Sequence, residues 1–147
     1  MRSIITDSYL DSVNHFTILT TTKCNARCFY CYELKSKGKH HMTIETAEKV
    51  ADYIINVADK HKEIKLSWFG GEPLFNLKVI DLIVTKIKDA GFKYSSTIIS
   101  NGILFSPETV SKAKELWHLK SAQITLDGTE EVYNKAKNYI YKDINPY

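Results

Sequence analysis

The period of the apolar positions changes repeatedly along this chain. His15 to Thr22 (HFTILTTT) is a β-branched and aromatic run, and Ile64 to Phe69 (IKLSWF) alternates apolar with polar. Tyr94 to Ser100 (YSSTIIS) is short and β-branched, and Ser121 to Leu126 (SAQITL) alternates again. Each pattern predicts a strand. Between them the period lengthens. Behind Thr43, a capping residue type, Ile44, Ala47, Val50, Ala51, Ile54 and Ala58 recur at spacings of three and four. Leu77, Ile80, Ile83, Val84 and Ile87 repeat that stripe, and Gly91 stands where a glycine closes a helix. Ser106, Pro107 and Glu108 read as N-cap, first helical position and acidic first turn, ahead of Val110, Ala113, Leu116 and Trp117. Phe29, Trp68 and Trp117 are expected in the core.

Strands alternating with helices predict parallel βαβ units and an α/β fold. In such folds the working residues lie beyond the carboxyl ends of the strands. Here those ends carry CNARCFYC (24–31), GGEP (70–73), Ser100-Asn101-Gly102 and Asp127-Gly128. They are expected to converge on one rim. At the far end, Asn145-Pro146 reads as the start of a helix, and the chain stops at Tyr147. The expectation is a piece of a longer α/β domain: an N-terminal segment 1–14, then a region 15–147 that lacks the last βα units. The fourth strand would be an open edge through which copies could pair.

Composition narrows the partners. The 147 residues are 44% hydrophobic and 25% charged, enough for a packed core. Lys plus Arg number 20 against 17 Asp plus Glu, a net charge of +3, with no dense basic run. That balance argues against a nucleic-acid partner. No apolar run is long enough to span a bilayer, and Met1 to His15 is no secretory signal, so no membrane partner and a cytosolic location are expected.

All 3 cysteines fall within one short stretch, Cys24, Cys28 and Cys31. That crowding disfavours a disulfide framework and points to a metal centre in a reducing compartment. Thiolates are soft ligands suited to zinc or to iron–sulfur clusters. A Cys3His zinc site would recruit His40 or His41 as fourth ligand. Three thiolates on a [4Fe–4S] cluster would instead leave one iron open to a small molecule.

The spacing C-x3-C-x2-C, with Tyr30 before the last cysteine, resembles the radical S-adenosylmethionine (radical SAM) superfamily. The resemblance continues through GGEP, SNG and LDG, each after its strand, and covers nearly all of His15 to Asp127. In detail it is most like the branch that modifies peptides and proteins, including the sulfatase-maturating enzymes. It implies a partial (β/α)6 barrel with about four strands present. It implies a [4Fe–4S] cluster on Cys24, Cys28 and Cys31, with S-adenosylmethionine on the open iron. One electron from a low-potential donor then cleaves the sulfonium, giving methionine and a 5′-deoxyadenosyl radical that takes a hydrogen atom from a peptide or protein substrate. Cluster potentials reach roughly −700 mV, which suits so difficult a reduction.

The resemblance also distributes roles. Gly70, Gly71 and Glu72 would meet the methionine amino group, with Glu72 as acceptor and Pro73 fixing the backbone after it. Tyr30 would pack the adenine. Ser100 and Asn101 would bond ribose hydroxyls or the methionine carboxylate. Thr125 and Asp127, read as positions of the fourth strand, would face cofactor or substrate, though Asp-Gly is also an ordinary turn. Lys23, Arg27 and Lys35 surround the cysteines and read most simply as solvated surface. Tyr133 stands where these enzymes usually have His, and Lys137 where they usually have Arg. Two other readings remain: an iron–sulfur electron-transfer module, and a fragment with no assembled cofactor site.

Overall fold

A computed structural model describes residues 14–35, 40–141, 145 and 147. The segment 1–13, the Lys35 side chain and Pro146 lie outside the described residues, and with Pro146 lies the helix start read at Asn145-Pro146.

The strands are β1 (His15–Thr21), β2 (Ile64–Gly70), β3 (Tyr94–Ser100) and β4 (Leu119–Ile124). They form one parallel sheet in the order β1-β2-β3-β4. The helices are α1 (Ile44–Val57), α2 (Leu77–Asp89), α3 (Pro107–Glu115) and α4 (Glu130–Lys137). Sequential strand order has a physical consequence. Parallel crossovers are right-handed as a rule, so successive crossovers in one direction stack their helices on the same face. That face holds the core. Ile18, Ile64, Leu66, Trp68, Tyr94 and Ile98 meet Ala47, Ala51 and Ile54 of α1 and Val79, Ile80, Ile83, Val84 and Ile87 of α2. Among the described residues no helix covers the opposite face. Thr17, Ser67, Phe69, Thr97, Ile99 and Gln123 line a concavity of about 490 Å³ there. This is the inner wall of an unclosed barrel.

The helix ends follow their residue types. Thr43 Oγ1 accepts from Thr46 N at 3.1 Å, and Ser106 Oγ accepts from Thr109 N at 3.2 Å. Gly91 has φ +80°, the left-handed conformation that ends α2. Trp68 and Trp117 are fully buried, and Trp117 Nε1 donates to Asp81 Oδ1 at 2.8 Å.

Three expectations are corrected. The fourth strand begins two residues earlier than its alternation suggests, at Leu119, and ends at Ile124. Pairing with β3 sets its register, with Leu119 opposite Ser96 and Ile124 opposite Ser100. Thr125 and Asp127 therefore lie on the loop after β4. Second, α4 adds a helix that the apolar periodicity did not announce; Thr129 precedes it, and Glu130 and Glu131 occupy its acidic first turn. Third, Phe29 is 82% exposed, its ring edge against Tyr30 at a centroid distance of 5.2 Å. It sits on an irregular loop that the sheet does not cover.

Among the described residues no helix is long and apolar enough to cross a membrane. Ile83, fully buried between the sheet and α1, gives a direct test of the core. Ile83→Ala is expected to cost about 2–5 kcal/mol of stability, read as a lowered midpoint in urea denaturation.

Candidate cofactor site

The loop that carries the cysteines leaves β1 at Thr21, and its first residues are bound to the end of β2. Gly71 N donates to Thr21 O and Glu72 N to Lys23 O, each at 2.9 Å. Thr21 Oγ1 donates to His40 O at 2.9 Å and accepts from Lys23 N at 3.0 Å. This approach is too close for side chains. A Cβ on Gly70 would lie 2.3 Å from Thr21 O, and one on Gly71 would lie 2.4 Å from Lys23 O. Gly70 also has φ +149°. The glycines thus admit the protein's own backbone, seating the cysteine loop directly on β2.

Glu72 follows and is fully buried. Its Oε1 accepts from Leu74 N at 3.1 Å and from Ser100 Oγ at 2.9 Å, and its Oε2 accepts from Asn101 N at 2.8 Å. Burial pushes this carboxyl above the ordinary range, opposed by those three donors. Pro73 is buried behind it, and its carbonyl accepts from Thr20 Oγ1 at 3.2 Å. Ser100 Oγ also accepts from Gly102 N at 3.0 Å. In this arrangement Glu72, Ser100 and Asn101 bind one another and join the ends of β2 and β3.

Asn101 reaches on to the cysteines. Its Nδ2 donates to Asn25 Oδ1 at 2.7 Å and lies 3.8 Å from Cys24 Sγ, while its Oδ1 accepts from Ile103 N at 3.2 Å. Asn25 is fully buried, and its Nδ2 has no hydrogen-bond partner among the described residues. Cys24 Sγ accepts from Ala26 N at 3.4 Å. Arg27 is half-buried, and its guanidinium donates to Cys24 O at 2.8 Å and Ala26 O at 2.9 Å, bracing the loop.

The last wall comes from the loop after β4 and from α4. Tyr30 OH donates to Asp127 Oδ2 at 2.8 Å, and Lys137 Nζ donates to Tyr30 OH at 2.8 Å. Lys137 also pairs with Asp127 Oδ2 at 3.2 Å. Burial pulls the Lys137 ammonium down, but its bonds to Tyr30 and Asp127 prevail and leave it raised. Burial pushes the Tyr30 phenol up to about 12. Tyr133 and Tyr139 are buried beneath, their hydroxyls 3.0 Å apart, and Tyr139 OH donates to Asn101 O at 3.3 Å. Tyr133 and Lys137, the two departures from the usual His and Arg, are therefore both inside the site wall. Neither the exposure of Phe29 nor the burial of Lys137 could be read from residue type. The one available signal was Lys137 standing at a position where a charged residue is usual.

All three cysteines are free and half-buried. Burial pushes the Cys24 thiol up against its Ala26 bond. It does the same to Cys28, against the Lys137 ammonium and the Tyr30 hydroxyl. Coordination reverses that preference, because a metal-bound thiol is deprotonated outright. His41, a candidate fourth zinc ligand, has its Nδ1 buried with no hydrogen-bond partner among the described residues. The His41 ring stacks on Phe75 at 6.2 Å, and among the described residues no three His, Cys, Asp or Glu side chains gather as a single-ion site. A cubane makes no such demand, since each thiolate takes a different iron and the sulfurs stand farther apart. Three free thiols on one braced loop, each a soft sulfur ligand, fit a cluster held by cysteine.

A parallel sheet wound in sequence, with a loop of three free cysteines on its carboxyl rim, defines a barrel-type α/β architecture. The radical SAM superfamily model matches residues 18–144, and the chain belongs to that superfamily. It is 32% identical over 123 residues to an uncharacterized protein of Methanocaldococcus jannaschii, covering 82% of this chain and 41% of that one. It is also 32% identical over 132 residues to GTP 3′,8-cyclase of Peptoclostridium acidaminophilum, covering 86% of this chain and 38% of the relative. The solved structure of native anSMEcpe with bound AdoMet and Kp18Cys peptide superposes with a TM-score of 0.71 at 20% identity, over 86% of this chain and 35% of that one. The chain spans about two fifths of the length of these curated relatives.

Two substitutions test the rim. Gly71→Ala, whose new methyl would meet Lys23 O at 2.4 Å, is expected to lower the thermal midpoint and loosen the cysteine loop in hydrogen exchange. Glu72→Gln keeps the shape of the side chain but offers one acceptor oxygen where three donors converge. It is expected to cost about 1–3 kcal/mol, the scale for a buried donor left unmet, measured by denaturant unfolding.

Proposed function

We propose that this chain is the cofactor-binding part of a radical SAM enzyme. In this reading Cys24, Cys28 and Cys31 hold a [4Fe–4S] cluster, and S-adenosylmethionine lies along the rim formed by Tyr30, Gly70 to Pro73, Ser100, Asn101, Thr125 and Asp127. Once bound, the two groups supply one-electron cleavage of the sulfonium and, through it, hydrogen-atom abstraction. The chain's own residues shape and brace the place where this happens. Gly70 and Gly71 seat the loop, Glu72 and Asn101 lock it to β3, and Arg27 supports its carbonyls. The carrying observation is the joining of the three-thiol loop to GGEP and SNG through buried Glu72 and Asn101.

A peptide or protein substrate is favoured by the likeness to anSMEcpe, whose structure contains AdoMet and a peptide. A nucleotide substrate is the second reading, favoured by the higher identity to a GTP 3′,8-cyclase. A low-potential electron donor and a cytosolic location accompany either.

Anaerobic reconstitution with iron and sulfide is expected to give a brown protein with four iron atoms per chain. Replacing any one of the three cysteines with Ala should abolish the colour. S-adenosylmethionine is expected to change the electron paramagnetic resonance spectrum of the reduced cluster. A spectrum indifferent to it would assign the chain to electron transfer, and stoichiometric zinc with no iron uptake would end the cluster reading.

A further inference from the structure

The Lys137 residue is only 3% exposed. Lysine is almost never so deeply buried without a partner, and a buried ion pair is a poor source of stability. Its placement therefore needs another reason, and its neighbours supply one. The ammonium touches Asp127 Oδ2 at 3.2 Å and Tyr30 OH at 2.8 Å, and it lies 5.5 Å from the Tyr30 ring centroid and 5.7 Å from that of Tyr133. Tyr30 directly precedes Cys31, and it closes the triangle by donating to the same Asp127 oxygen at 2.8 Å. The main chain makes a parallel connection. Arg27 N donates to Lys137 O at 2.9 Å and to Asn138 O at 3.2 Å, and Ile140 N donates to Asn25 O at 2.8 Å. The end of α4 thus grips the cysteine loop by backbone on one side of Cys28 and by side chain on the other.

We infer that Lys137 is a positioning residue: with Asp127 and Tyr30 it latches the cysteine loop to α4 and fixes a positive charge beside the cluster. The inference rests on the reading of Cys24, Cys28 and Cys31 as cluster ligands. It has two consequences. The latch slows release of the cluster, because Tyr30 cannot swing outward without breaking its bonds to buried Lys137 and to Asp127. The ammonium offsets the Asp127 carboxylate that would otherwise disfavour the reduced cluster, because reduction adds an electron to an assembly already carrying three thiolates, and net charge is one of the factors that set a cluster's potential.

The test uses the whole chain, reconstituted anaerobically with iron and sulfide, with wild type alongside Lys137→Met, Lys137→Arg and Tyr30→Phe. Folding is checked by circular dichroism. Cluster loss is followed by bleaching in the presence of an iron chelator, and the potential by a redox titration read by electron paramagnetic resonance. Lys137→Met is expected to lose its cluster on the order of tenfold faster, the scale for removing an outer partner of a metal ligand, and to have a more negative potential. Lys137→Arg should restore both, since it returns the charge and the donors. Tyr30→Phe removes one hydroxyl and keeps the ring; it should speed cluster loss and carries the test if Lys137→Met does not fold. Wild-type rates and potential in Lys137→Met, or wild-type rates in Tyr30→Phe, would overturn the latch while leaving the cluster reading intact. Failure of the wild-type chain to assemble a cluster would overturn the cluster reading itself.

Discussion

A buried carboxylate governs this rim. Glu72 sits in a fully enclosed position where an unpaired charge would be prohibitively costly. It is tolerable because donors from its own turn and from the end of β3 converge on its two oxygens. Its backbone N–H, meanwhile, holds the carbonyl of Lys23 on the cysteine loop. One residue therefore sets the distances among three strand ends. Gly70 and Gly71 make this geometry reachable, because any side chain there would strike the carbonyls to which the loop is bonded. The motif GGEP is in this sense a joint between strands as much as a lining for a ligand.

Periodicity made most of the fold legible. The two-residue and three-to-four-residue stripes placed β1 to β3 and α1 to α3 near their observed bounds, and cap residues such as Thr43, Ser106 and Gly91 marked where helices begin or end. The stripes failed where burial is slight. β4 is an edge strand with exposed side chains along almost its whole length, so its alternation carried no information about a core and its register came from β3. α4 is eight residues long and mostly polar, and only Tyr133, Ala136 and Lys137 within it are buried. A helix held by contacts with a loop leaves little trace in its own apolar spacing.

The candidate site was legible in composition but not in partnership. Cysteine, glycine, acid and amide at four strand ends were visible from the sequence, and the structure brings them to one rim. Which atoms they bond was not visible, because the decisive pairs are far apart in the chain: Glu72 with Asn101, Asn25 with Asn101, Tyr30 with Asp127 and Lys137. The resemblance gives Glu72 and Asn101 ligand-binding roles. Their geometry shows them already bonded to the protein. Arg27 reverses in the same way: a charge read as solvated surface instead supports two carbonyls of the cysteine loop.

The cysteine loop has almost no regular structure of its own, so its shape has to come from its anchors. β2 holds its base through Gly71 and Glu72, β3 holds Asn25 through Asn101, and α4 holds Arg27 through the carbonyls of Lys137 and Asn138. Each successive βα unit contributes one fastening, and none of them is local in sequence. The loop can take this conformation only when the sheet is assembled in order, since a missing unit leaves one side of the loop unheld. Positions defined by such non-local bonds are absent from the unfolded chain, so on the proposed reading any binding free energy at the three thiols would become folding free energy for the sheet. The end of α4 meets the cysteine loop directly, through Arg27 N to the carbonyls of Lys137 and Asn138 and through Lys137 Nζ to Tyr30 OH, outside the hydrophobic core on the other face of the sheet.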